Sequence, residues 1–165
     1  MREGMAAGAT GLSSGVFYAT GAAADIDELV LLARVAGDAG GVYTTHIRDE
    51  SDNVIDSLDE AFATGRRGSV PVVVSHHKCA GPRNWGRTVE TLAHIDVART
   101  HQPIALDAYP YIAGSTVLRK EAVDGVIDIM VTWSTPHPQM SGRMLAGIAA
   151  VADEFQGTVG VIVVK

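Results

Sequence analysis

Three times in succession a helical pattern leads into a run rich in apolar, β-branched or aromatic residues, and that alternation constrains the fold more than anything else in the chain. The runs are Gly41-Val42-Tyr43-Thr44-Thr45-His46-Ile47-Arg48, Val70-Pro71-Val72-Val73-Val74-Ser75-His76 and Pro103-Ile104-Ala105-Leu106-Asp107-Ala108-Tyr109. Ahead of the first, Ile26, Leu29, Val30, Leu32, Ala33 and Ala36 share one broad helical face. Asp25 is placed to cap that helix with Glu28 three residues on, and Gly40-Gly41 ends it. Val54, Ile55, Leu58, Ala61 and Phe62 form the buried face of a second helix, and residues 88–100 read as a third. Apolar strands alternating with helices predict a parallel sheet buried on both faces, so the fold class is α/β. Further strands are expected around residues 10–14, 126–131 and 159–164.

The chain has 165 residues, of which 47% are hydrophobic and 19% charged, as expected for a soluble globular protein forming one domain or part of one. Its 13 Lys and Arg stand against 19 Asp and Glu, a net charge of -6, and the basic residues are scattered, which argues against nucleic acid as a partner. No apolar run reaches the roughly 18 residues needed to span a bilayer, so no membrane partner is expected. The opening Met-Arg-Glu-Gly-Met-Ala-Ala-Gly lacks the apolar core of a secretory signal. A cytoplasmic location is expected. The single Cys79 has no partner for an internal disulfide and, with no orienting group recognisable beside it, reads as a spectator.

In open α/β sheets and in β/α barrels function gathers at the C-terminal ends of the strands. The three runs end in Thr45-His46-Ile47-Arg48-Asp49-Glu50, Ser75-His76-His77-Lys78 and Asp107-Ala108-Tyr109-Pro110-Tyr111. His46 and His76 are one βα unit apart, so on neighbouring strands their imidazoles reach the same rim. That suits a shared metal, although a catalytic zinc wants three protein ligands and an open position, and two histidines leave the set incomplete. Each histidine is equally readable as a hydrogen-bonded structural residue. Arg48-Asp49-Glu50 suits a clamp for a substrate carboxylate or an acidic helix start. Lys78, two residues past His76, is expected to point the same way as His76 along a strand and to meet an anionic substrate, or else to be an ordinary surface lysine. His94 and His101 read as surface or packing residues, and His137 sits between prolines in a stiff loop.

Six strings in order resemble the N-acyl-D-amino-acid deacylases, or D-aminoacylases, of the amidohydrolase superfamily. They are Gly11-Leu12-Ser13-Ser14-Gly15, Thr45-His46-Ile47-Arg48-Asp49-Glu50, Ser75-His76-His77-Lys78, Asn84-Trp85-Gly86, Asp107-Ala108-Tyr109-Pro110-Tyr111-Ile112-Ala113-Gly114-Ser115 and Trp133-Ser134-Thr135-Pro136-His137-Pro138. The resemblance runs from about Gly4 to Ala150. It implies a distorted (β/α)8 barrel of the TIM type with parallel strands, in which zinc activates water to attack the amide of a small-molecule N-acyl-D-amino acid. The products are a carboxylate and a free D-amino acid. By the same resemblance His46 and His76 are zinc ligands, Lys78 and Tyr109 hold the substrate carboxylate or orient the scissile amide, Ser115 assists, and Tyr18 lines the pocket.

The family's His-x-His pair on the first barrel strand, its bridging cysteine or glutamate and its catalytic aspartate on the last strand have no counterpart in these residues. A barrel of this kind typically takes about 250 residues. The expectation is therefore a single domain over residues 1–165 that forms the middle portion of an amidohydrolase barrel. A catalytically inert segment acting as a structural or assembly partner is the alternative, and an oligomer is compatible with either.

Overall fold

The computed structural model describes residues 1–109 together with the backbone of three later strands, Lys120–Val123, Val126–Val131 and Val159–Val163. The chain divides into two compact units, Met1–Tyr109 and Pro110–Lys165. The first unit begins with a short helix α1 (Arg2–Ala6) and strand β1 (Gly11–Gly15), followed by α2 (Ile26–Asp38), β2 (Val42–His46) and α3 (Val54–Gly68). Strand β3 (Val72–Val74), a 3-10 turn at Pro82–Asn84, α4 (Thr88–Arg99) and β4 (Ile104–Leu106) complete it. The four strands pair in chain order and all in parallel.

Helix α2 starts as its sequence dictates. Asp25 Oδ1 accepts the Glu28 N–H at 2.9 Å, and Gly40 turns the chain out of the helix at φ 72°. Its buried residues Leu29, Val30, Ala33 and Ala36 fall on the expected face. Helix α3 buries Val54, Leu58, Ala61 and Phe62, with Ile55 half-buried at the margin. Small residues let α3 approach both strand β3 and helix α2 closely. A Cβ on Gly65 would lie 2.1 Å from Val72 Cγ2, and one on Gly68 would lie 3.0 Å from the Ala33 Cβ.

The core forms on one side of the sheet, where Tyr43, Val72, Val74 and Ile104 meet Ala33 and Ala36 of α2, Val54 and Leu58 of α3, and Ile95 of α4. Period-two alternation sends Val42, Thr44 and His46 to the other side, where they are only half-buried. Burial of the sheet on both faces was the expectation; among the described residues only the helix side is fully covered. A barrel resolves the difference, because its inner sheet face is covered by the curvature of the same sheet and not by a second helix layer.

The apolar runs yield shorter strands than their sequence suggests. The second run pairs only over Val72–Val74 and the third only over Ile104–Leu106, and each polar tail becomes a turn beyond the ladder. In the second unit Lys120–Val123 (β5) pairs antiparallel with Val126–Val131 (β6), which pairs parallel with Val159–Val163 (β7). Strands were expected at the last two positions. The antiparallel β5 had no periodicity to announce it. No helix among the described residues is long and apolar enough to cross a membrane.

Candidate metal centre

The parallel register brings the three polar tails to one edge of the sheet. Gly15 pairs with His46, Thr45 with Val74, and Val74 with Leu106, so the chain leaves β1, β2, β3 and β4 side by side at their C-terminal ends. His46 is the last residue of β2. His76 lies in the turn after β3 with φ 40°, a left-handed conformation costly for a residue with a Cβ. Two contacts from the β4 tail hold it there. Asp107 Oδ1 accepts the His76 N–H at 2.6 Å, and the Asp107 carbonyl accepts the His77 N–H at 2.8 Å.

The outcome is that the two imidazoles converge. His46 Nδ1 faces His76 Nε2 within hydrogen-bonding reach, and the ring centroids are 4.4 Å apart. Burial, followed by the neighbouring His76, holds the His46 pKa below the ordinary histidine value, which favours the neutral imidazole that a metal requires. Tyr18 packs edge-on against His46 at 5.6 Å between centroids. Gly15 makes room for that ring, since a Cβ there would come within 2.8 Å of Tyr18 Cδ2.

Around the outer nitrogen of His76 sits a charged cluster. Glu50 Oε1 is 2.8 Å from His76 Nδ1, and Glu50 Oε2 is 2.6 Å from Lys78 Nζ. Lys78 also reaches the His76 carbonyl at 3.0 Å and His76 Nδ1 at 2.8 Å. The Lys78 ammonium stands 5.5 Å over the Tyr109 ring, and that ring lies 6.3 Å from the His76 ring. Burial, and then the Glu50 charge, pushes the Tyr109 phenol above its ordinary pKa, so it remains a neutral donor. Strand alternation was the expected reason for Lys78 to follow His76. The strand has ended by then, and Lys78 returns to His76 through the turn instead.

Thus His46, His76, Lys78, Tyr109 and Tyr18 occupy one rim, while Ser115 lies outside the described residues, as do His137 and Tyr111. Among the described residues no group of three or more His, Cys, Asp or Glu side chains converges as a metal site. Two facing imidazole nitrogens are chemically suited to zinc, and they would make up two of the usual three protein ligands. Cys79 packs against the core with Sγ 3.9 Å from Thr91 Oγ1, and His94 pairs with Asp59 at 2.7 Å.

The acidic and basic residues after β2 divide their work in a way that neither expectation for Arg48-Asp49-Glu50 captured. Arg48 clamps Glu60 of α3 at 2.8 and 2.9 Å and the carbonyls of Ala22 and Ala24, both at 2.9 Å. Asp49 accepts bonds from Ser51 and Asn53 in a turn ahead of α3. Glu50 alone turns to the histidines. Asn84, of the Asn84-Trp85-Gly86 string, is buried and joins the 3-10 turn to Asp52 Oδ1 at 2.8 Å and to the Ala80 carbonyl at 2.9 Å.

A parallel sheet with its helices on one side and its polar tails at one end is part of a TIM-type (β/α)8 barrel, with the chemistry placed as in that class. Among known proteins, the sequence is similar to enzymes named for the deacylation of N-acylated D-amino acids. Over 148 residues, 90% of the chain, the sequence is 45% identical to a D-aminoacylase of Alcaligenes xylosoxydans xylosoxydans. Over 151 residues it is 48% identical to an N-acyl-D-glutamate deacylase of the same organism. The chain spans 31% of the length of each of these relatives. Among solved structures it is similar to an N-acyl-D-glutamate deacylase from Bordetella bronchiseptica complexed with zinc and a phosphonate inhibitor, at 48% identity and a TM-score of 0.73, covering 92% of this chain and 32% of that one. It is also similar, at 38% identity and a TM-score of 0.73, to a D-aminoacylase with a binuclear metal centre, covering 94% of this chain and 35% of that one. No family model matches. The resemblance read from the six strings therefore holds, and it is a resemblance to part of those proteins.

Proposed function

We propose that this chain supplies two zinc ligands and the adjoining substrate-binding rim of a metal-dependent amidohydrolase that hydrolyses the amide bond of N-acyl-D-amino acids, giving a carboxylate and a D-amino acid. The observation that carries the reading is the convergence of His46 Nδ1 and His76 Nε2 past the ends of two neighbouring parallel strands. Relatives named for this activity, and a solved relative complexed with zinc, support it.

In this reading His46 and His76 hold the metal. A zinc ion held there would contribute Lewis acidity, the chemistry that polarises a scissile carbonyl and acidifies water. The chain's own residues bind and orient. The Lys78 ammonium attracts the substrate carboxylate, and the protonated phenol of Tyr109 beside it donates a hydrogen bond to a carboxylate or carbonyl oxygen. Tyr18 backs the His46 ring and, by the resemblance, is a candidate to line the pocket. Ser115 is a further substrate-binding candidate carried by the resemblance. Further metal ligands and the proton-transferring base come from residues outside the described set, because two imidazoles do not complete a catalytic zinc site.

Elemental analysis of the purified protein, paired with hydrolysis of matched D and L substrates, tests the reading. The expected result is about one zinc per chain, lost in a His46→Ala, His76→Ala double variant, together with selectivity for the D substrate where turnover occurs. Equal zinc content in protein and double variant would overturn the ligand assignment. Absence of zinc from both, with the fold intact by circular dichroism, would favour a role as a structural or assembly segment.

A further inference from the structure

We infer that Glu50 is a positioning residue: its carboxylate fixes the His76 ring in the tautomer that leaves Nε2 with a lone pair, and at the same time orients Lys78 for an anionic substrate. The inference rests on the metal-site reading above and assigns a role to a residue that reading does not use. His76 presents Nε2 towards His46 and Nδ1 towards Glu50 Oε1, 2.8 Å away. An imidazole ligates through only one nitrogen while the other carries the proton, so ligation through Nε2 requires N–H at Nδ1 and an acceptor beside it. Glu50 Oε1 is that acceptor. It is buried and has no aligned hydrogen-bond donor among the described residues, and Nδ1 at 2.8 Å is the group placed to supply one on a small rotation of the ring.

Lys78 makes the assignment consequential. Its Nζ also lies 2.8 Å from His76 Nδ1, and an ammonium can only donate. Were Lys78 to donate to Nδ1, the ring proton would move to Nε2 and the nitrogen facing His46 could no longer bind a metal. Glu50 opposes this through its second oxygen, which takes one Lys78 N–H at 2.6 Å, while the His76 carbonyl takes another at 3.0 Å. With Nδ1 donating to Glu50, the third N–H of Lys78 would be left for the carboxylate of an N-acyl amino acid. One carboxylate thereby couples the metal ligand to the substrate-binding cation. Its side chain is only 12% exposed, so water competes weakly for either oxygen.

The experiment is nitrogen-15 NMR of the histidine rings in the metal-free protein in mildly alkaline buffer, followed by cobalt(II) titration read by its visible absorption. The wild type is expected to show His76 protonated at Nδ1 and bare at Nε2. In Glu50→Gln the tautomer should become mixed and cobalt affinity should fall about 10-fold to 100-fold, the range typical for partners of metal-ligating histidines. Lys78→Met should keep the Nδ1–H tautomer. Protonation of His76 at Nε2 in the wild type would overturn the inference without recourse to any variant, and so would an unchanged tautomer and affinity in Glu50→Gln. A wild type that binds no cobalt yet shows the Nδ1–H tautomer dependent on Glu50 would refute the metal reading while leaving the tautomer assignment standing.

Discussion

The carboxylate of Asp107, on the tail of β4, accepts the backbone N–H of His76 at 2.6 Å and so holds a residue of the neighbouring turn in a left-handed conformation. A non-glycine residue in that region costs on the order of 1 kcal/mol or more and persists where its surroundings impose it. The restraint sets the direction in which His76 leaves the backbone.

Asp107→Ala is therefore expected to lower stability by about 1–2 kcal/mol, as for loss of one hydrogen bond to a charged acceptor. It should also weaken cobalt or zinc binding roughly 10-fold, as for other groups that orient a ligand. Asp107→Asn retains an acceptor oxygen and should recover most of both. Urea unfolding and metal titration of the two variants check this. Equal losses in Ala and Asn would mean that the charge, and not the hydrogen bond, carries the effect.

How much of this was legible in the sequence follows from which interactions are local. The helix at Asp25, the strand ending at His46 and the order of elements were readable because capping, periodicity and glycine punctuation act within a few residues. The convergence of His46 and His76 followed from one βα unit of separation and the rule that function gathers at strand ends. Glu50 and Asp107 were not readable as partners of His76, since each contact joins side chains or turns from different strands and leaves no periodic trace. Arg48 was misleading for the same reason. Its charge suggests a substrate clamp, yet its partners Glu60, Ala22 and Ala24 are contributed by elements far away in sequence.

Those partners make Arg48 a tie between the loop ahead of α2, the end of β2 and helix α3. Arg48→Lys should cost about 1–3 kcal/mol even though the charge is kept, because an ammonium cannot reproduce the planar fork that meets Glu60 and two carbonyls together. Chemical denaturation would measure the loss, and stability equal to wild type would show that the fork contributes nothing beyond its charge.

Gly65 offers a test of the contact between helix α3 and strand β3. Replacing glycine by alanine inside a helix ordinarily gains up to about 1 kcal/mol. Here the new methyl would come within 2.1 Å of Val72 Cγ2 and 3.1 Å of the Val70 carbonyl oxygen. Overpacking of this sort costs about 1–3 kcal/mol, so Gly65→Ala is expected to be net destabilising. Gly65→Ala combined with Val72→Ala should recover part of the loss, a rescue that a defect confined to the helix backbone would not show.

Acid titration separates the turn before α3 from the rest of the fold. Burial raises the Asp49 pKa, but hydrogen bonds from the side chain and backbone of Ser51 and from Asn53 outweigh it and leave the carboxyl below its ordinary value. A carboxylate with a depressed folded-state pKa stabilises the fold fully above its unfolded pKa of about 3.9, and the contribution is lost as pH falls through the lower folded value. The stability difference between wild type and Asp49→Asn should therefore be constant from neutral pH down to about 4 and shrink below that. The turn is partly exposed and its bonds are short-range, so the plateau should be no larger than about 1 kcal/mol. Urea midpoints measured at stepped pH decide it: a gap that widens on acidification would mean that the ionised Asp49 is not what these donors hold in place.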